Sequence, residues 1–64
     1  MFQEFPRSLV GEEAVVVEEV DNARGTGYVL VDGKRFPARS LSGTVVSVGT
    51  RVLILGIDGI RLLI

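Results

Sequence analysis

Cysteine, histidine and tryptophan are all absent from these 64 residues. Without cysteine no disulfide can staple the chain, and without histidine or cysteine the usual nitrogen and sulfur ligands for zinc are missing. The same absences exclude Ser/His/Asp and Cys/His nucleophilic catalysis, because Ser8, Ser40, Ser42 and Ser47 have no imidazole to accept a proton. Lys34, the only lysine, sits beside a turn signal where water rather than a serine surrounds it. Carboxylates come as neighbours, Glu12 with Glu13 and Glu18 with Glu19. Neighbours on an extended strand point to opposite faces, so neither pair converges as acid and base must. No catalytic residue, cofactor or metal ligand is expected.

Two further absences narrow the setting. No run of eighteen apolar residues exists, so this segment is not expected to insert into a bilayer, and the N-terminus lacks the cationic start and apolar run of a signal peptide. A basic excess is missing as well: the net charge is -1, whereas nucleic-acid binders usually carry a positive balance. The charge is unevenly placed. Residues 1–21 hold Glu4, Glu12, Glu13, Glu18, Glu19 and Asp21 against Arg7, while the remainder holds six basic groups against Asp32 and Asp58. Strand pairing could mix the two halves; otherwise they form a steering patch for a partner.

What the chain has in quantity is valine, leucine and isoleucine, within a hydrophobic share of 47%. That supply has to build the core unaided, in a domain too short to bury more than about 60% of its unfolded surface. Residues 1–8 read as a lead-in, since Pro6 opposes a strand, and residues 9–64 as one domain. The lead-in would be the remnant of a linker to a membrane segment outside this sequence.

Strands are expected at Ala14–Val20, Tyr28–Val31, Lys34–Arg39, Thr50–Ile57 and Ile60–Ile64. Asp32-Gly33 and Asp58-Gly59 are hairpin signals, and Asp21 to Gly27 is a loop. Pro37 marks an edge or a direction in which its missing N–H is not needed. No stretch carries a helical period; at most one short turn of helix fits between Ser40 and Val48. Five short strands with glycine-rich turns suggest a small all-β barrel, of either the oligonucleotide/oligosaccharide-binding (OB) or the SH3-like type.

Alternation assigns Val16, Val29, Val31, Phe36, Ala38, Val52, Ile54 and Leu62 to the interior, with Ile57 or Ile64 closing one end. Val15 and Val17 compete with Val16 for the inside. A bulge or bend at Gly56 would let both Ile54 and Ile57 face inward. Phe36 is expected to anchor this core. Leu30, Leu53 and Leu55 fall on the outer face, either covered by the lead-in or open to a partner.

The run Gly33-Lys34-Arg35-Phe36-Pro37-Ala38-Arg39-Ser40 resembles a motif of the soluble C-terminal domain of the NfeD family. Leu9-Val10-Gly11, Gly27, Val29 and Val31 precede it in the same order, and Gly49, Val52, Ile54, Gly59 and Leu62 follow it. The likeness spans residues 9 to 64, with Phe36 where the family usually has tryptophan and Ala14 where it usually has glycine. It implies a five-stranded OB-type barrel from a membrane-anchored parent protein, a soluble domain on the cytoplasmic side, and binding or assistance of a stomatin-like membrane protein.

Three function classes are thereby weighed. Catalysis lacks its side chains. Single-stranded nucleic-acid binding, the alternative, needs exposed aromatics over a basic groove, and of Phe2, Phe5, Tyr28 and Phe36 only Tyr28 suits the barrel surface. Gly25-Thr26-Gly27 is a turn, without the third glycine or following helix of a nucleotide loop. Protein binding needs only a face, and the expected one joins Tyr28, Leu30, Leu53 and Leu55 with Arg35 and Arg39, whose guanidinium forks suit carboxylates. The occupant would be the stomatin-like partner or a second copy; no nucleic acid is expected there.

Overall fold

A computed structural model describes residues 9–64, and every feature below belongs to them. The lead-in 1–8 lies outside the described residues. The chain is all-β: β1 is Glu13–Asp21, β2 Thr26–Val31, β3 Lys34–Arg39, β4 Arg51–Leu53, β5 Gly56–Asp58 and β6 Arg61–Leu63. They form one curled six-stranded sheet, a half-barrel, in the order β4-β1-β2-β3-β6-β5. Neighbours are antiparallel except β3 and β6, which run parallel.

The expected fourth strand is the main correction. Thr50–Ile57 is not one strand; it breaks at Ile54 and Leu55 into β4, which pairs with β1, and β5, which pairs with β6. At the break the Ile54 N–H donates to the Glu12 carbonyl at 2.9 Å and its carbonyl accepts from Gly11 at 2.7 Å. The next N–H, of Leu55, turns the other way and donates to the Leu63 carbonyl at 2.7 Å. The expected phase slip near Gly56 is present: Ile54 is buried, and Ile57 also packs against the core. The last hairpin differs too. Asp58 pairs with Arg61, so the two loop residues are Gly59 and Ile60, with Gly59 at the positive φ (63°) that a type II′ turn needs first. The Asp32-Gly33 hairpin has both φ values positive, 50° and 76°, as type I′ requires.

β1 extends one residue past each end of the expected strand, where Glu13 pairs with Leu53 and Asp21 with Thr26, and it is bulged between. Its register against β2 slips between Val16 and Glu18 and again between Glu18 and Asp21. Each slip adds one unpaired residue to β1 and bends the strand. Two slips restore the original phase, which puts Ala14, Val16 and Val20 all inside and leaves Glu18 and Glu19 both exposed. Val15 and Val17 are half-buried, so Val16 takes the interior.

The core comprises Leu9, Ala14, Val16, Val20, Val29, Val31, Ala38, Ile54 and Leu62. Leu9, Ala14 and Val20 were not in the expected set, although Ala14 and Val20 share the phase of Val16. Phe36, Val52, Ile57 and Ile64 pack against this core only partly buried. Phe36 therefore adjoins the core rather than anchoring it, and the largest fully buried side chains are Ile54, Leu62, Val16, Val20 and Val29. No helix forms between Ser40 and Val48. That connection is instead strapped along β1, with Val46 and Val20 exchanging backbone hydrogen bonds at 2.9 and 3.0 Å. Pro37 is not on an edge strand. It lies one residue before the first β3–β6 pair, Ala38 with Leu62, so the missing donor falls where that ladder has yet to begin.

Gly27 shows how tightly the bulged region closes. It has φ 137°, and a Cβ there would stand 2.8 Å from the Val20 Cα and 3.0 Å from the Ala38 carbonyl. Those obstacles are backbone and a fully buried valine, so neither can swing aside. Gly27→Ala is expected to lower stability by about 2–3 kcal/mol, read from thermal unfolding. Gly25→Ala meets open space at φ 71° and should cost only about 1–2 kcal/mol, the left-handed penalty alone.

A second comparison tests the ranking of the core. Ile54→Ala removes a fully buried side chain and should cost about 2–5 kcal/mol. Phe36→Ala, in spite of the larger volume, should cost less, about 1.5–3 kcal/mol, because the ring is only partly buried against the core. Chemical denaturation of both variants reads the order directly, and a larger loss for Phe36 would reverse it.

Candidate partner-binding surface

Cross-strand register fixes which expected site residues meet. Leu30 lies between Arg35 on β3 and Val15 on β1, and Tyr28 between Pro37 and Glu18. The Arg35 guanidinium carbon sits 4.9 Å from the centre of the Tyr28 ring, within cation–π range. Tyr28, Leu30 and Arg35 therefore form one cluster on the outer face of β2 and β3, with the two apolar side chains 37% and 38% exposed.

Leu53 and Leu55 form a second cluster. They flank Ile54, which is 1% exposed, and are themselves 56% and 53% exposed, as strand alternation requires. Leu53 is opposite Glu13 on β1, two strands away from Leu30. The two clusters thus lie in different cross-strand rows, Leu30 with Val15 and Arg51, and Leu53 with Glu13. Arg39 belongs to neither. Its register neighbour is Leu63 on β6, and it faces a groove instead.

That groove, about 290 Å³, is lined by the β1–β2 loop at Asn22 and Gly25, by Thr26, Gly27 and Tyr28, by Pro37, Ala38 and Arg39, and by Ile60 and Arg61. Its loop wall is held by a reciprocal pair of hydrogen bonds. The Asn22 side-chain amide donates to the Ser40 carbonyl at 2.8 Å, and the Ser40 N–H donates to the Asn22 Oδ1 at 3.0 Å. Asn22 thereby pairs with the end of β3 much as a strand residue would. The bulge leaves the Gly27 N–H without a ladder partner, and the Glu18 carboxylate accepts from it at 3.1 Å. Sequence reasoning missed Asn22, Ile60 and Arg61 as surface-forming residues. Alternation along single strands could not show that a loop and two hairpin ends converge.

The apolar residues Leu41, Val45 and Val48 in the connection are also exposed and were not anticipated. Among the described residues no group of three acidic, histidine or cysteine side chains could hold a metal ion, and no helix is long and apolar enough to cross a membrane.

The Asn22–Ser40 clamp is testable. Asn22→Ala leaves the nearly buried Ser40 N–H and carbonyl without these partners, and should cost about 1–3 kcal/mol. Hydrogen exchange of the Ser40 amide should accelerate in step. Unchanged exchange would mean that the loop is held by other contacts.

With this geometry in view, the relatives are informative. The C-terminal domain of stomatin operon partner protein 1510-C from Pyrococcus horikoshii superposes with a TM-score of 0.81 at 26% identity, covering 94% of this chain and 91% of that one. The soluble domain of a membrane protein implicated in regulation of membrane protease activity, from Corynebacterium glutamicum, gives a TM-score of 0.79 at 32% identity, covering 88% and 87%. No curated protein matches the sequence significantly. The family model described as the NfeD-like C-terminal, partner-binding domain matches residues 6–64, nearly the whole length, and the chain belongs to that family.

Proposed function

We propose that this partner-binding domain takes a stomatin-like membrane protein as its partner, through the outer face that carries Tyr28, Leu30, Arg35, Arg39, Leu53 and Leu55. The parent protein is membrane-anchored, with this domain on the cytoplasmic side, and the domain itself performs no catalysis. One observation carries the choice of face: Leu53 and Leu55 stand more than half exposed on either side of the buried Ile54. Two outward leucines on either side of one buried residue leave apolar area in water unless something covers them. The relatives' own descriptions, a stomatin operon partner and a membrane protein implicated in regulating membrane protease activity, support the class of partner.

The sheet is read further as the closed five-stranded OB-type barrel, with residues 51–58 as one bent strand. In support, the first half of that segment pairs with β1 and the second with β6. The nucleic-acid alternative loses ground on the same surface. One face of the Tyr28 ring, the only stacking platform on the described surface, is occupied by the chain's own Arg35.

The test is recovery of a stomatin-like protein from detergent-solubilised membranes by the parent domain and by a Leu53→Ser, Leu55→Ser double variant. Both positions are exposed, so the variant should keep its circular dichroism spectrum and melt within a few degrees of the parent. Recovery by the parent and loss in the folded variant is expected. Equal recovery by both would remove this face from the interface.

A further inference from the structure

From the groove between the β1–β2 loop and the Gly59–Ile60 turn, we infer a binding site for an acidic peptide segment, in which Arg39 and Arg61 grip a carboxylate and Ile60 covers its apolar neighbour. The inference rests on the partner-binding reading and names the chemistry that the partner would present.

Register brings the two arginines together. Ala38 pairs with Leu62 in the parallel β3–β6 ladder and Arg39 with Leu63, so Pro37 and Arg61 are next in line. Across β2, Pro37 is opposite Tyr28. Arg61 therefore ends a row that runs Tyr28, Pro37, Arg61, and Arg39 stands two residues further along β3 on the same face. Diagonal neighbours of this kind lie about 7–8 Å apart, within the span of two guanidinium groups on one carboxylate or on two successive ones. Both residues line the groove and both are exposed.

Neither guanidinium is committed. Among the described residues the one ion pair is Arg24 with Asp21, at 3.9 Å. Asp58 is the backbone partner of Arg61 but makes no ion pair with it. Glu18 is occupied with the Gly27 N–H. Arg35, the third cation on this face, lies over Tyr28. Two free planar forks side by side favour carboxylates, which they can take bidentately.

The rest of the groove argues for a peptide rather than an isolated anion or a nucleic acid. Ile60 stands 73% exposed at the tip of its hairpin, beside Arg61. Pro37 and Ala38 add an apolar floor. An apolar rim beside paired cations fits a segment that alternates acidic and apolar side chains. A nucleic acid would want open aromatic faces, and the ring lining this groove is partly occupied.

The probe is a capped peptide of alternating glutamate and leucine, titrated into the isotope-labelled domain and followed by amide chemical shifts. The same peptide with glutamine, oligothymidine and phosphatidylserine vesicles are titrated alongside. Shifts should cluster at Asn22, Thr26, Tyr28, Arg39 and Arg61, and affinity should fall about tenfold for the glutamine peptide and for an Arg39→Gln, Arg61→Gln variant. Arg51→Gln, on β4 and away from the groove, should bind as the parent does. Equal affinity for the glutamine peptide, or tighter binding of oligothymidine or of the vesicles than of the acidic peptide, would overturn the assignment. So would a folded Arg39/Arg61 variant that binds the acidic peptide unchanged. These outcomes are independent of the membrane-protein recovery. A groove that fails while Leu53 and Leu55 still control recovery would leave the partner reading in place.

Discussion

The rest of the sheet depends on the bend at Ile54 and Leu55. Residues 51–58 are eight residues long, yet they supply both end strands of the sheet order, β4 beside β1 and β5 beside β6. Backbone groups in a small domain have to find partners or water. Ile54 gives both of its groups to the Glu12 and Gly11 side, and Leu55 gives its N–H to Leu63. Reversing the donor direction between consecutive residues is ordinary in a strand. Here the two directions meet different neighbours, β1 on one side and β6 on the other. The fully buried Ile54 side chain holds the turning point in the core.

Curling has a second cause on the opposite side. β1 pairs with β2 along one edge and receives the 46–50 connection along the other. The two register slips bend it, and bulges raise local twist. Their cost is a backbone N–H at Gly27 with no ladder partner and a close approach between Gly27 and Val20. The Glu18 carboxylate offsets the first, and the absence of a Cβ permits the second. The same bulges lift Glu18 and Glu19 to the surface together, so a local packing demand decides where acidic charge appears.

Much of this was legible and some could not be. Asp32-Gly33 declares its hairpin because only a positive φ at both positions matches strand twist, a rule that needs no tertiary knowledge. The third strand, the outward leucines at 53 and 55 and the inward set of Val16, Val29, Val31, Ala38, Ile54 and Leu62 follow from the period of two. Val20 shares the phase of Val16, but Glu18 between them is exposed, so the alternation is interrupted before Val20 is reached. Phe36 was overrated because residue size does not show how fully a side chain is covered, and Phe36 packs against the core only partly buried. Tyr28, Leu30 and Arg35 lie side by side across β2 and β3, while Leu53 and Leu55 lie on the far side of β1. Arg61 and Ile60 escaped notice because they belong to a strand and a turn whose neighbour, β3, is more than twenty residues earlier in the chain.

The charge asymmetry between the halves of the sequence survives folding because of strand order. The acidic first strand carries Glu13, Glu18 and Glu19, while Lys34, Arg35 and Arg39 lie on β3 and Arg61 on β6. β2 stands between these groups and contains no charged residue. An antiparallel β1–β3 pairing would have set glutamates beside arginines and neutralised both. Instead the β3 and β6 cations make no ion pair among the described residues, with Arg35 lying over Tyr28, and the acidic strand is bordered by Arg51 on β4 and by Arg24, which pairs with Asp21. A chain with net charge -1 thus presents a locally basic face next to exposed apolar side chains. That separation, set by topology rather than by composition, lets so small a domain offer a partner both charge and apolar area without a deep pocket.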